Sequence, residues 1–210
     1  MINVKKIVDW RKLLSFSAAG LTVASLTDSV VGASNSVEPL KPNIIIIQTD
    51  DQGYNDLSCY GSKNIRTPHI DSMALNGVKF TDYYCPAPVC SPSRAGLLTG
   101  TYPARLGFGG LALYPGIPQG LNPNEVTIAE MLKTMGYTTA CVGKWHVGGN
   151  KMTTQDKDLL VYHPLRNGFD SFYGFYSNGT WVTPLVREYT EVGPTDSSKI
   201  TNQLTVEAVS

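Results

Sequence analysis

The sequence predicts an α/β fold in which a mainly parallel central sheet is flanked by helices. Three observations carry this expectation. KPNIIIIQTDD sets four isoleucines (residues 44–47) between Pro42 and a polar stretch, the pattern of a strand buried on both faces, as in a parallel sheet. Downstream, strand-like and helix-like patterns alternate, which is the rhythm of α/β domains. The isoleucine run also ends on Asp50 and Asp51, and the carboxyl edge of such a sheet is where ligands bind.

The later elements follow in order. TPHIDSMALNG reads as a helix, with Pro68 suited to its first turn and Asn76-Gly77 stopping it. VKFTDYY reads as the next strand by alternation and aromatic content. In CSPSRAGLLTG, Pro92 at a first helical position and Gly100 as the stop predict a short helix, with Cys90 just before its first turn. A Gly- and Pro-rich loop runs to Asn124. Thr127-Ile128-Ala129-Glu130 then has a capping-box pattern, opening a helix through Met135 with Gly136 as its stop. YTTACVGKWHVG reads as a strand entering a glycine loop, and ITNQLTVEAVS as a helix through Ile200, Leu204, Val206 and Val209.

Bulk properties narrow the function classes. Lys5, Lys6, Arg11 and Lys12 precede the apolar run LLSFSAAGLTVASL, and Val31 and Ala33 stand where small residues precede cleavage. Residues 1–33 are therefore expected to be a signal peptide, and the protein to be exported, periplasmic or secreted. The run is shorter than the roughly 20 apolar residues of a spanning helix, so no stable membrane span is expected. Residues 34–210 are long enough for one domain with its own core. With 17 basic and 17 acidic residues and no basic stripe, nucleic acid is a poor candidate partner. Cys59, Cys85, Cys90 and Cys141 leave disulfide pairing open and show no zinc-ligand spacing.

The residue types that carry chemistry fall in three places. Asp50 and Asp51 end an apolar strand pattern, where a loop can turn both carboxylates toward one hard cation. Lys144 and His146 lie two apart, so in extended chain they share a face while Trp145 points into the body. That pair suits holding an anion and exchanging a proton. Arg94 lies one turn into the helix that follows Cys90, and a helix amino terminus with an arginine fork is a seat for a tetrahedral oxyanion. A thiol nucleophile acting on phosphate is a further reading of these features, but phosphate-loop thiol enzymes set five residues between cysteine and arginine, and here there are three.

At this point a resemblance becomes specific. Cys90-Ser91-Pro92-Ser93-Arg94, continued by Leu98-Thr99-Gly100, resembles the C-x-P-S-R-x-x-x-x-T-G signature of the sulfatase family. Residues 136–148 resemble its second signature, G-Y-x-T-x-x-x-G-K-W-H-x-G, and PNIIIIQTDDQGYNDLSCYG resembles its opening strand and metal loop. TPHIDSMALNGVKFTDYY and RNGFDSFYG resemble two further blocks in the same order.

The resemblance implies an alkaline-phosphatase-like α/β fold and hydrolysis of sulfate esters. It implies that Cys90 is oxidised to formylglycine by a formylglycine-generating maturation enzyme, and that the hydrated aldehyde attacks sulfur to give a covalent sulfoenzyme. Asp50, Asp51 and modified Cys90 would ligate calcium; Arg94 would support the diol, Lys144 would bind diol and sulfate, and His146 would steer the hydroxyl proton. The substrate implied is a small-molecule or carbohydrate sulfate ester. The family also carries, further along, a histidine and a lysine that hold substrate and an Asp-Asn pair that completes the calcium shell. These have no counterpart here, since His163 lies in the unrelated context YHPLRNG. The chain is thus expected to be the amino-terminal part of a sulfatase catalytic domain, nearly inactive by itself. Two other readings remain: a non-catalytic remnant, and a phosphoester or phosphonate hydrolase on the same scaffold.

Overall fold

The computed structural model describes residues 41–114, 117–148, 160–177, 184–194 and 198–210. The expected signal peptide, residues 1–33, lies outside them. The chain divides into two compact units between Thr81 and Asp82.

In the first unit, helix α1 spans Pro68–Asn76. Pro68 opens it, as expected, because its fixed φ suits a first turn and its missing N–H is not needed there. The Asp71 carboxylate ties α1 to the preceding turn: it accepts from Ser58 Oγ at 2.6 Å, Cys59 N at 2.8 Å and Thr67 Oγ1 at 2.9 Å. The Ser58 hydroxyl, with Thr67 and Cys59 behind it, holds that carboxyl below its ordinary range.

Two expected strands do not form. Residues 41–49 belong to no strand, and Ile45 and Ile47 stay 82% and 76% exposed. A parallel strand gains its burial from neighbours on both edges, and no described strand pairs with this one. Residues 78–84 form no strand either. Alternation favours a strand only where an edge is open to pair, and here the Phe80 carbonyl accepts from the Tyr60 hydroxyl at 2.6 Å.

The second unit holds helices α2 (Cys90–Thr99), α3 (Ile128–Thr134) and α4 (Ile200–Val209) with strands β1 (Ala140–Lys144), β2 (Ser171–Phe175), β3 (Pro184–Arg187) and β4 (Thr190–Pro194). The strands form one sheet in the order β1-β2-β3-β4. β1 pairs β2 in parallel, whereas β2–β3 and β3–β4 are antiparallel. The described sheet is therefore mixed rather than mainly parallel. α3 carries the predicted capping box, with Thr127 N donating to Glu130 Oε2 at 2.8 Å and Glu130 N to Thr127 Oγ1 at 3.1 Å. Gly136, at φ 79°, ends it as expected. α4 forms as predicted and packs on β1 and β2, and a bidentate Arg187–Glu207 pair joins it to β3.

Gly143 and Gly174 face each other in the β1–β2 register. A Cβ on Gly174 would collide with the Gly143 carbonyl, so the two backbones approach only because neither carries a side chain. Above and below them, Trp145, Val147, Phe172, Tyr176 and Val186 join Ala95, Leu106, Phe108 and Leu121 in one core. Trp145 packs edge-on to Phe169 at 5.9 Å and donates Nε1–H to the Tyr162 carbonyl at 2.8 Å, so its single polar atom is satisfied.

His163 is fully buried in the same unit. Its Nδ1 accepts from Leu165 N at 3.1 Å, which leaves the proton on Nε2, 2.8 Å from the Glu188 carbonyl and 2.9 Å from the Tyr176 hydroxyl. Burial pushes its pKa down to about 4, against the pull of the Glu188 carbonyl.

Two outcomes follow. Gly174→Ala must shift a main-chain carbonyl, so urea titration should show a loss of about 3 kcal/mol or more. For His163, the ring stays neutral in the folded chain down to about pH 4, while in the unfolded chain it takes a proton from about pH 6.5. Its contribution is whole above pH 6.5 and is lost as pH falls toward 4, by up to about 3 kcal/mol. Wild type should lose that much more stability than His163→Gln between pH 7 and pH 4; equal slopes would show that the ring does not titrate with folding.

Candidate active site

The segment CSPSRAGLLT winds into α2 with Val89 as N-cap, and Gly100 closes it in the left-handed conformation at φ 65°. Cys90 is the first helical residue rather than the one before the first turn, and Pro92 is the third. The shift by one turn position has a simple cause. Proline needs no N–H anywhere in the first turn, so it does not by itself mark the opening residue. Cys90 thus sits in the helix's first turn, at the positive end of its dipole. Ser91 and Ala95 are fully buried beside it, fixing that end of the helix in the core.

Arg94 links this helix to β1. Its Nη1 donates to the carbonyl of Lys144, the last residue of β1, at 2.6 Å. This single bond brings together two motifs fifty residues apart in sequence. Cys141, the second residue of β1, is half-buried against the core; desolvation pushes its thiol up to about 12, with the Arg94 charge pulling the other way. That thiol is inert packing at neutral pH.

Beyond Lys144 the strand alternation stops. Trp145 N donates to the Phe175 carbonyl and His146 N to the Tyr176 carbonyl, each at 2.9 Å. Trp145 enters the core, as its sequence position suggested. His146 does not share an open face with Lys144: it is 1% exposed and its backbone is left-handed, φ 54°. Nε2 of His146 lies 2.8 Å from the Leu113 carbonyl. A carbonyl only accepts, so Nε2 carries the proton and Nδ1 is the nitrogen that bears the lone pair in the neutral ring. The Leu113 N–H in turn donates to Ser91 Oγ at 3.0 Å.

Cys90, Arg94, Lys144 and His146 therefore all belong to one unit, gathered at the start of α2 and the end of β1. Asp50 and Asp51 belong to the other unit. Both are exposed, and Asp51 has φ 52°, a turn that interrupts the alternation of a regular strand. Two adjacent carboxylates are hard oxygen donors that suit calcium, though they fall short of its usual six to eight ligands. Among the described residues no group of three or more His, Cys, Asp or Glu side chains gathers to hold a metal.

Ser91 and Leu113 were not singled out by sequence. Ser91 stands inside the first motif as a variable-looking position, and Leu113 contributes only its peptide group, which no residue type announces.

Arg94→Ala removes a charge-assisted bond from a half-buried site. Urea titration should show a loss of about 2 kcal/mol. Arg94→Lys should recover less than half of it, because an ammonium cannot reproduce the planar fork.

The sulfatase family model matches residues 42–207 of the chain. Steryl-sulfatase of Mus musculus is 45% identical over 72% of this chain and 25% of its own length. Arylsulfatase A of Homo sapiens is 45% identical over 78% of this chain and 28% of its own. The crystal structure of Ps i-CgsB superposes with TM-score 0.69 and 35% identity over 80% of this chain and 40% of that one. The same protein solved in complex with k-i-k-neocarrahexaose gives 0.64 and 33%, over 76% and 38%. This chain spans about a quarter of the length of the curated relatives it matches. With both motifs meeting at the Arg94–Lys144 bond, and the family match running through both units, the chain belongs to the sulfatase family.

Proposed function

We propose that this chain carries the nucleophile-bearing part of a calcium-assisted sulfate-ester hydrolase, with Cys90 as the precursor of formylglycine. The observation that supports it most is the Arg94–Lys144 bond. It fastens the helix whose first residue is Cys90 to the strand end that presents Lys144 and His146. Formylglycine at position 90 supplies geminal hydroxyls, one to attack the ester sulfur and one to release sulfate afterwards. Asp50 and Asp51 would be among the ligands of a calcium ion, which would supply Lewis-acid polarisation to the ester.

The chain's own residues do the rest. The first turn of α2 aims N–H groups and a positive dipole end at position 90, which favours an anion there. Lys144 adds a positive charge for the sulfate oxygens. Arg94 spends one donor on the Lys144 carbonyl and keeps the strand end in place. His146 moves the hydroxyl proton at Nδ1, because its Nε2 proton is committed to Leu113. The left-handed backbone at His146 is the kind of strain that accumulates at working sites. Carbohydrate sulfate esters are one substrate class, suggested by the neocarrahexaose bound to Ps i-CgsB. Aryl and steryl esters are the others that the relatives' names suggest. The amino-terminal sequence supports export of the precursor.

The test is the mass of the Cys90 peptide from protein exported by its own host. Conversion of thiol to aldehyde lowers it by about 18 Da, and a hydrazine should trap the product. An unshifted, alkylatable thiol would overturn the reading and leave a non-catalytic member of the family. With the shift in hand, a panel of aryl sulfate, carbohydrate sulfate and phosphate monoester on the parent enzyme should show sulfate release alone; phosphate release in its place would assign the scaffold to phosphoester chemistry.

A further inference from the structure

Leu113 occupies an unusual place. Its peptide N–H donates to Ser91 Oγ at 3.0 Å, and its carbonyl accepts the Nε2 proton of His146 at 2.8 Å. The N–H and C=O of Leu113 belong to consecutive peptide groups joined at its Cα, and through them this one residue bridges the first turn of α2 and the second residue beyond β1. Ser91 is fully buried and His146 is 1% exposed, so water does not compete for either bond. Leu113 itself comes from the irregular stretch between α2 and α3 and belongs to no helix or strand. The Ser91 bond holds the Ala112–Leu113 peptide, and with it the Leu113 Cα from which the carbonyl of the next peptide is set.

From this geometry we infer that Ser91 is a positioning residue: acting through the Leu113 main chain, it fixes the tautomer and orientation of His146. The inference rests on the proposed role of His146 as the proton-moving group. The chain of cause is short. An acceptor on Nε2 keeps the proton there, and Nδ1 stays the basic nitrogen. If the Leu113 main chain shifts once its N–H is released from Ser91, its carbonyl leaves Nε2 and both neutral tautomers become populated. The side chain adjacent to the nucleophile precursor thereby sets the basic atom of the residue that moves its proton. The serine needs only an acceptor oxygen, so threonine should serve where alanine fails. The Leu113 side chain packs against the core, but only its main chain is used in the bridge.

The chain has three histidines, His69, His146 and His163, which makes nitrogen-15 labelling of the imidazoles readable. Spectra of the full chain at pH 8, well above the ordinary imidazole pKa, report tautomer directly. His146→Gln identifies the lines of His146. Wild type should show a single Nε2–H tautomer at His146, with two well-separated nitrogen shifts. Ser91→Ala should make those two shifts converge while the His163 lines stay in place, and Ser91→Thr should restore the separation. Leu113→Ala removes packing and keeps both hydrogen bonds, so it should leave the His146 shifts apart. Separated shifts in Ser91→Ala, or convergence in Leu113→Ala equal to that in Ser91→Ala, would overturn the assignment. If Ser91→Ala disturbs His163 as well, Ser91→Thr decides: wild-type shifts at His146 uphold the role of the hydroxyl oxygen and mixed tautomers end it. An unmodified Cys90 would sink the sulfatase reading without moving any of these shifts, so the two failures are distinct.

Discussion

The backbones of β1 and β2 approach each other at Gly143 and Gly174, and most of what matters in the second unit hangs on that approach. Two glycines in register let the parallel pair close without a side chain between them. The pairing then continues past the strand end, because the Phe175 and Tyr176 carbonyls take the N–H groups of Trp145 and His146. Trp145 is thereby driven into the core and His146 is turned back into the protein. Arg94 can reach the Lys144 carbonyl only because that strand end is held still. A weaker β1–β2 contact would leave the arginine, the lysine and the histidine as separate features of separate segments.

The ties that gather the site are largely side chain to main chain. Arg94 binds a carbonyl, His146 binds a carbonyl, and Ser91 binds an N–H. Such bonds fix the relative placement of segments through main-chain atoms and do not consume a second side chain. His163 is tied to main-chain atoms as well. Both of its nitrogens are engaged, its ring packs against Phe172, Tyr176 and Tyr189, and burial keeps it neutral. It is a structural hinge pin for the β3–β4 turn, where Glu188 contributes the carbonyl.

How much of this the sequence disclosed depends on whether the deciding interaction is local. α1, α3 and the end of α2 were legible because Pro68, the Thr127–Glu130 box and Gly100 act within one turn of themselves. The strand at Ala140–Lys144 was legible because its apolar pattern coincides with a partner strand that the described chain supplies. The isoleucine run was misread for the matching reason: its residues have the right composition, and the described chain supplies no strand beside it. The motif residues Cys90, Arg94, Lys144 and His146 were found by type and spacing, and all four lie in one unit. What escaped was the geometry among them. The left-handed turn at His146 breaks the two-residue alternation, and the Ser91–Leu113 bridge passes through a peptide group that has no signature in sequence.

Among the described residues, three other than glycine hold positive φ: Asp51, His146 and Glu188. Strain of this kind costs on the order of 1 kcal/mol or more at each position, and glycine would remove it. The chain keeps a functional side chain there instead, and at two of the three positions the structure shows what that side chain does. Glu188 uses its carboxylate to accept Phe172 N at 3.2 Å, its N–H to reach the Phe172 carbonyl, and its own carbonyl for His163. Its strain is offset by three bonds that all serve the fold. His146 sends its N–H to Tyr176 and its Nε2 proton to Leu113. The first of these a glycine could also make. Only the second needs an imidazole, and a carbonyl at Leu113 has no structural need of that ring in particular. In the proposed mechanism the identity of the residue at position 146 is set by the other nitrogen of the ring, Nδ1, which moves the hydroxyl proton.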